Sequence, residues 1–305
     1  MKFNSCVSCF LCGSTNVVSK NYLTYNSNSV LRNIAYLIPD YVGKFMSCLI
    51  PDFRRAFRPV LANKKYFTRH IIFCRNCLTG WAHPFLSCDD LSAYYKEFYW
   101  KNRDSVEGKH LSEDFKPNII QIEISKARFA WINQFNPCLS SIIDFGAGDC
   151  AFSWFIKKNG FSEVVHVVDP SQKSLQLSAQ YGASYSRDII DAPTVDFIYS
   201  AHSIEHVDDL LVVLGQLIQR LRDGGHIFIE TPNIGDELVF EELTHTPHTF
   251  LLSRRSFEYL ASMYGLSIIA MECTGPPWKD GFPGLQSQER ADLRILMRKD
   301  LHLRI

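Results

Sequence analysis

The sequence predicts an α/β fold: a doubly wound sheet of seven strands with an antiparallel last strand, preceded by a small cysteine-bearing module. Three observations lead there. From residue 118 onward, short apolar runs alternate with amphipathic stretches. A glycine turn, Asp144-Phe145-Gly146-Ala147-Gly148, closes the first of those runs. Two Cys-x-x-Cys pairs, Cys9/Cys12 and Cys74/Cys77, stand far upstream of it.

With 305 residues, 46% hydrophobic and 21% charged, the chain can build a core without disulfide support and divides into a larger and a smaller part. Residues 1–99 are rich in Cys, Phe, Tyr and Arg, 100–117 form a polar linker, and 118–305 carry the regular alternation. Lys plus Arg equals Asp plus Glu, 32 against 32, so no overall field draws the protein to nucleic acid or anionic lipid. No apolar run approaches the ~20 residues of a membrane span. The first residues lack the apolar core of a secretion signal, which predicts a cytoplasmic protein. The ten cysteines are then thiols or metal ligands rather than bridges.

The elements follow in order. Residues 118–136 read as a helix, with Ile120, Ile124, Ala127 and Trp131 on its inner face. A buried strand over 141–145 runs into the glycine turn, and a helix over 152–158 ends at Asn159-Gly160. The strand 164–168 ends at Asp169-Pro170, Ser171 caps the next helix, and a third strand stops just before Asp188. Residues 195–200 make the fourth strand, and 208–221 a helix striped by Leu210, Leu214, Leu217 and Leu221. Gly224-Gly225 turns the chain into a strand over 226–230. Ser253 caps a helix that stops at Gly265. The strands 266–271 and 291–298 have no helix between them, so the last pairs antiparallel. This is a Rossmann-like arrangement.

In such sheets ligands sit beyond the carboxyl ends of the strands. Gly146 and Gly148 let the backbone turn sharply and approach a ligand, and Asp169, at the next strand end, is placed to accept hydrogen bonds from ribose hydroxyls. Both features suit an adenosine-containing cofactor. Residues 146–151 also satisfy the G-x-G-x-x-A dinucleotide variant, so a nicotinamide-dependent oxidoreductase stays open, as does a binding protein that keeps the fold without turnover.

Further motifs separate these. Ser203-Ile204-Glu205-His206-Val207 follows the fourth strand, and Glu230-Thr231-Pro232-Asn233 ends the fifth. Together with Asp144, Gly146, Gly148 and Asp169, these segments make residues 118–300 resemble the class I S-adenosylmethionine-dependent methyltransferases. Cys150 stands where that family often has a third glycine. The resemblance implies that Asp144, Gly146, Ala147 and Gly148 border the methionine portion of S-adenosylmethionine. Asp169 would hold the ribose, Asp188 would meet the adenine amine, and Ala201 and His202 would flank the transfer site.

Two Cys-x-x-Cys turns each aim two sulfurs at one point, and together they supply a tetrahedral site for structural zinc from Cys9, Cys12, Cys74 and Cys77. Cys6 overlaps the first pair, and Cys88 lies near enough to substitute. The insert between the pairs predicts helices over 30–38 and 42–49. The run from Cys74 through Pro84-Phe85-Leu86-Ser87 to Leu91, Tyr94 and Tyr95 resembles the zinc-binding N-terminal domain of sugar-nucleotide C-methyltransferases and related polysaccharide-modifying enzymes. That implies a small acceptor, a sugar nucleotide or glycan. The long insert and Leu78, in place of a glycine, depart from the family.

Histidine suits the removal of a proton near neutral pH, and His202, His206, His245 and His248 all follow the fourth and fifth strands. His248 matches the base-bearing histidine of the sugar C-methyltransferases, while Pro247 replaces their glutamate. His248, His202 and His206 are therefore the candidate catalytic residues.

Overall fold

The computed structural model describes residues 7–21, 70–83, 85, 87–94, 117–233, 248–274 and 292–300. Two compact units divide the chain: Met1–Glu107 with Asp236–Leu251, and Gly108–Gly235 with Leu252–Ile305.

In the first unit, β1 (Val17–Asn21), β2 (His70–Cys74) and β3 (Gly80–His83) form an antiparallel meander, followed by α1 (Cys88–Tyr94). The outer strand comes from far along the chain. β9 (Phe250–Leu251) pairs with β3, placing Trp81 opposite Phe250 and Gly80 opposite Leu251. From the sequence, residues 118–305 read as one continuous domain. A two-residue strand carries no periodicity that would reveal its membership of another sheet.

The second unit begins with α2 (Ile119–Asn133), whose first turn is capped by the Asn118 side chain accepting from the Ile120 N–H. The inner face of α2 differs from the expected stripe. Ile120 is 51% exposed, and the buried positions are Ile122, Ile124, Ser125, Arg128, Phe129, Trp131 and Ile132. A buried arginine, Arg128, sits in the middle of this face.

The remaining elements are β4 (Ser141–Phe145), α3 (Ala151–Lys158), β5 (Val164–Val168), α4 (Gln172–Gln180), β6 (Ser184–Ser186), β7 (Val195–Ala201), α5 (Leu210–Gln219), β8 (Leu221–Pro232), α6 (Arg254–Tyr264), β10 (Leu266–Thr274) and β11 (Asp292–Lys299). They build a seven-stranded sheet in the order β10-β11-β8-β7-β4-β5-β6. β4, β5, β6, β7 and β8 run parallel, while β11 lies antiparallel to both β8 and β10. Sequence signals hold at the caps. Ser171 accepts from the Ser174 N–H, and Ser253 and Ser256 form a capping box. Gly224-Gly225 does not precede the strand as a separate turn. Both glycines lie inside β8 as an irregularity, because Val195 pairs with Leu221 but Phe197 with His226.

The core between α2, α3 and the sheet is aromatic. Phe152 stacks on Tyr199 with centroids 3.6 Å apart, Tyr199 on Phe228 at 5.3 Å, and Phe197 and Phe228 are fully buried. Each such side chain contributes about 1.5–3 kcal/mol by leaving water. This core fixes the carboxyl ends of β4 and β7 side by side. Among the described residues no helix is long and apolar enough to cross a membrane. The expected helices at 30–38 and 42–49, and also Cys6, Tyr95, His245 and Pro247, lie outside the described residues.

Candidate active site and cysteine centre

At the carboxyl end of β4 the chain makes its glycine turn, with Gly146 at φ +68° and Gly148 at φ +57°, a region that favours residues without a Cβ. A Cβ on Gly146 would lie 2.2 Å from Ser203 Oγ, so the turn packs against the segment after β7. A Cβ on Gly148 would meet nothing within 4 Å. That side of the turn is open.

A cleft adjoins the turn, bounded by Asp144, Gly146, Ala147 and Asp149, by Arg128 of α2 and by Ala201 of β7. Asp144 is buried and accepts from the Ser153 N–H at 3.2 Å and the Ser153 hydroxyl at 2.6 Å. Burial pushes its carboxyl up to about 7, helped by the neighbouring Asp169 and Asp149 carboxylates. Asp169 braces the same turn: Oδ2 accepts from the Gly148 N–H at 2.9 Å and Oδ1 from the Ser171 N–H at 2.8 Å. These donors take two of the roughly four acceptor directions of its carboxylate. Asp188 is exposed and caps the 3-10 turn Ile189–Asp191 through the Ile190 N–H; it does not border the cleft. Cys150, the departure from the glycine pattern, is fully buried with φ 55° and packs with Val167 and Leu177.

Beside Ala201 lies a buried charge network. Glu230, at the end of β8, accepts from Arg128 Nε at 2.7 Å and from Arg128 Nη2, and its other oxygen accepts from Arg294 Nε at 2.5 Å. Burial opposes its charge, but Arg128 and His202 outweigh that and hold the carboxyl well below the usual range. His202 Nε2 is 3.3 Å from Glu230 Oε1 and 3.7 Å from Asp292 Oδ1, and its Nδ1 is 3.5 Å from Glu205 Oε1. Burial alone would lower the imidazole, yet the Glu205 and Glu230 carboxylates raise it to about 10. His202 is therefore a cation at neutral pH. Its backbone adopts φ 52° and is held by its N–H donating to the Glu230 carbonyl at 2.8 Å. Asp292, buried first of all and repelled by Glu230, titrates at about 6.

The structure thus gathers Asp144, Gly146, Ala147 and Ala201 around one cleft and places His202 immediately after it. His206 sits in the 3-10 turn Ile204–His206, with Nε2 3.7 Å from Glu205 Oε1. His248 is buried in the first unit, two residues before Phe250 of β9. Sequence reasoning missed Arg128, Arg294 and Asp292. The available signal was charge at inward positions: Arg128 within the apolar stretch of α2, and Arg294 between Leu293 and Ile295.

A family model described as a methyltransferase domain matches residues 113–271, more than half of the chain. The chain belongs to this family. It is a class I S-adenosylmethionine-dependent methyltransferase, as the order of the glycine turn, the acidic strand end and the antiparallel last strand led one to expect. No curated protein sequence matches this methyltransferase. Solved structures are similar to it. A complex from Haloferax volcanii, between the Trm112 methyltransferase activator and a methyltransferase, is 14% identical with a TM-score of 0.50; the match covers 69% of this chain and 98% of that one. An S-adenosylmethionine-dependent methyltransferase from Mesorhizobium loti is 18% identical with a TM-score of 0.44, covering 57% of this chain and 98% of that one.

The methyltransferase's first unit gathers Cys9, Cys12, Cys74 and Cys77, whose sulfurs all lie within 4.8 Å of one another. Cys9 and Cys77 are 3.4 Å apart and Cys12 and Cys74 3.5 Å, too far for disulfides and near the ~3.8 Å expected between ligands of a tetrahedral zinc with ~2.3 Å bonds. The Cys9 thiol and burial push Cys77 up, because crowded sulfurs resist charging without a cation among them. Asn76 Nδ2 donates to Cys12 Sγ at 3.4 Å. Cys88 is exposed at the start of α1 and stands outside this group.

Proposed function

We propose that this methyltransferase delivers its methyl group to a hydroxyl of a small, sugar-like acceptor, and that Cys9, Cys12, Cys74 and Cys77 hold a structural zinc ion. The observation that carries the acceptor class is the cluster of His202, Glu205, Glu230 and Asp292 directly after the cleft residue Ala201. A polyol offers acceptor oxygens at every carbon, and the partly exposed, charged imidazole of His202 can donate to them. An apolar or aromatic acceptor would have no use for it. The resemblance of the cysteine module to that of sugar-nucleotide enzymes supports the same reading, as does the zero net charge, which favours a small acceptor over nucleic acid.

The donor is assigned to the cleft. S-adenosylmethionine supplies a methyl on a positively charged sulfur, and Asp144 and Asp149 give that charge an acidic border. Gly146, Ala147 and Gly148 pass the methionine portion, and Asp169 holds the ribose. When the acceptor oxygen takes the methyl, its proton must leave. His202 already carries its protons and orients the acceptor instead. His248 is the proposed proton acceptor, and His206 supports the Glu205 side of the cluster.

Isothermal titration with S-adenosylhomocysteine tests the donor site, and transfer from labelled S-adenosylmethionine to a panel of nucleotide sugars, free sugars and polyols tests the acceptor class. Turnover confined to amine or aromatic acceptors would overturn the hydroxyl assignment. Elemental analysis finding no zinc would remove the metal.

A further inference from the structure

We infer that Phe10, inside the first cysteine knuckle, is a positioning residue for His248, so that metal occupancy of the knuckles sets where that histidine sits. This rests on the proposed zinc site and on the proposed role of His248. The contacts run entirely within the first unit. Phe10 lies between Cys9 and Cys12, and its ring centroid is 5.4 Å from that of Phe250 and 5.3 Å from that of Trp81, edge-on to the latter. Phe85 closes the group at 5.8 Å from Phe10 and 5.9 Å from Phe250.

The second knuckle reaches the same segment by its backbone. The Cys74 N–H donates to the Thr79 carbonyl, and β3 starts at the next residue, Gly80. β3 then pairs Trp81 with Phe250, and the Ala82 N–H donates to the Thr249 carbonyl at 2.9 Å. Both knuckles therefore converge on Thr249–Phe250, and His248 is the residue immediately before. A strand of two residues is too short to hold its register through pairing alone. The aromatic clamp built on Phe10 supplies what the ladder lacks. An ion shared by the four sulfurs would tie both knuckles, and Phe10 with them, to one point.

The test uses the full chain and reads His248 directly. Hydrogen exchange is followed in the peptide covering 248–253, with one from β7 as internal reference, and the ring of His248 is followed by NMR in histidine-labelled protein, assigned with His248→Gln. Removing zinc with EDTA is expected to speed exchange at 249–251 by roughly tenfold and to shift the His248 resonance, with β7 unchanged. Phe10→Ala is expected to do the same while zinc stays bound at one per chain, and Phe10→Leu, which keeps an apolar side chain, to lie between. Zinc release without change at 249–251 overturns the inference, as does an unaltered His248 resonance in zinc-loaded Phe10→Ala and Phe10→Leu. If the purified protein binds no zinc, the proposed metal falls, and the two Phe10 variants alone still decide whether that ring places His248.

Discussion

His202 Nε2 lies 3.3 Å from the Glu230 carboxylate, and the same residue's backbone N–H donates to the Glu230 carbonyl at 2.8 Å. Glu230 therefore holds the left-handed backbone of the residue that follows the cleft and shares with Glu205 in raising its imidazole. The imidazole is raised from 6.5 to about 10, so it contributes stability that is complete below pH 6.5 and is lost as pH climbs toward 10. Nitrogen NMR should find both ring nitrogens of His202 protonated at pH 8. Glu230→Gln should bring its midpoint below about 9, and an unmoved midpoint would show that Glu230 does not govern it.

Glu230→Ala should be among the most damaging single changes in the second unit. It leaves Arg128 and Arg294 buried without their shared counter-charge, a loss of about 3–5 kcal/mol. Urea denaturation measures it, and a loss below about 1 kcal/mol would mean that water reaches the guanidiniums.

The two glycines of the turn should fail differently. Gly146→Ala drives a Cβ to 2.2 Å from Ser203 Oγ and should weaken both folding and binding of S-adenosylhomocysteine. Gly148→Ala meets open space, so its folding cost is the backbone term of about 1 kcal/mol, while its methyl intrudes on the ligand's side. Thermal melts with and without S-adenosylhomocysteine separate the two cases.

Asp169→Asn keeps one acceptor oxygen but turns an amide toward either the Gly148 or the Ser171 N–H. Titration calorimetry should find S-adenosylhomocysteine binding weakened by at least about tenfold, with roughly 1–2 kcal/mol lost from folding. Full affinity in this variant would remove Asp169 from the proposed ribose site.

Cys74→Ser, or acidification to about pH 5, should release zinc, since thiolate ligands must be deprotonated to bind it. A zinc-sensitive dye reports the release, and the melting temperature of the chain should fall with it. Zinc that remains bound in Cys74→Ser would reassign that ligand.

Much of the large sheet is legible in the sequence because its signals are local. Asp144 through Gly148, the cap at Ser171 and the capping box at Ser253 each need only a few neighbouring residues. The charge network is not local. Arg128, Glu230 and Arg294 come from α2, β8 and β11, and their pairing depends on the order of the strands. The same is true of His202, whose neighbours Glu205, Glu230 and Asp292 favour the charged form of a residue that looks like a base. A sequence motif names the histidine but not its protonation.

The pairing of Trp81 with Phe250 sets a timetable for synthesis. The ribosome finishes β1, β2 and β3 early, yet the last strand of their sheet emerges only after β4 through β8 have been made. Until then β3 keeps an open edge during translation, a hazard for pairing with another nascent chain. A chain truncated anywhere before residue 250 would carry that open edge permanently.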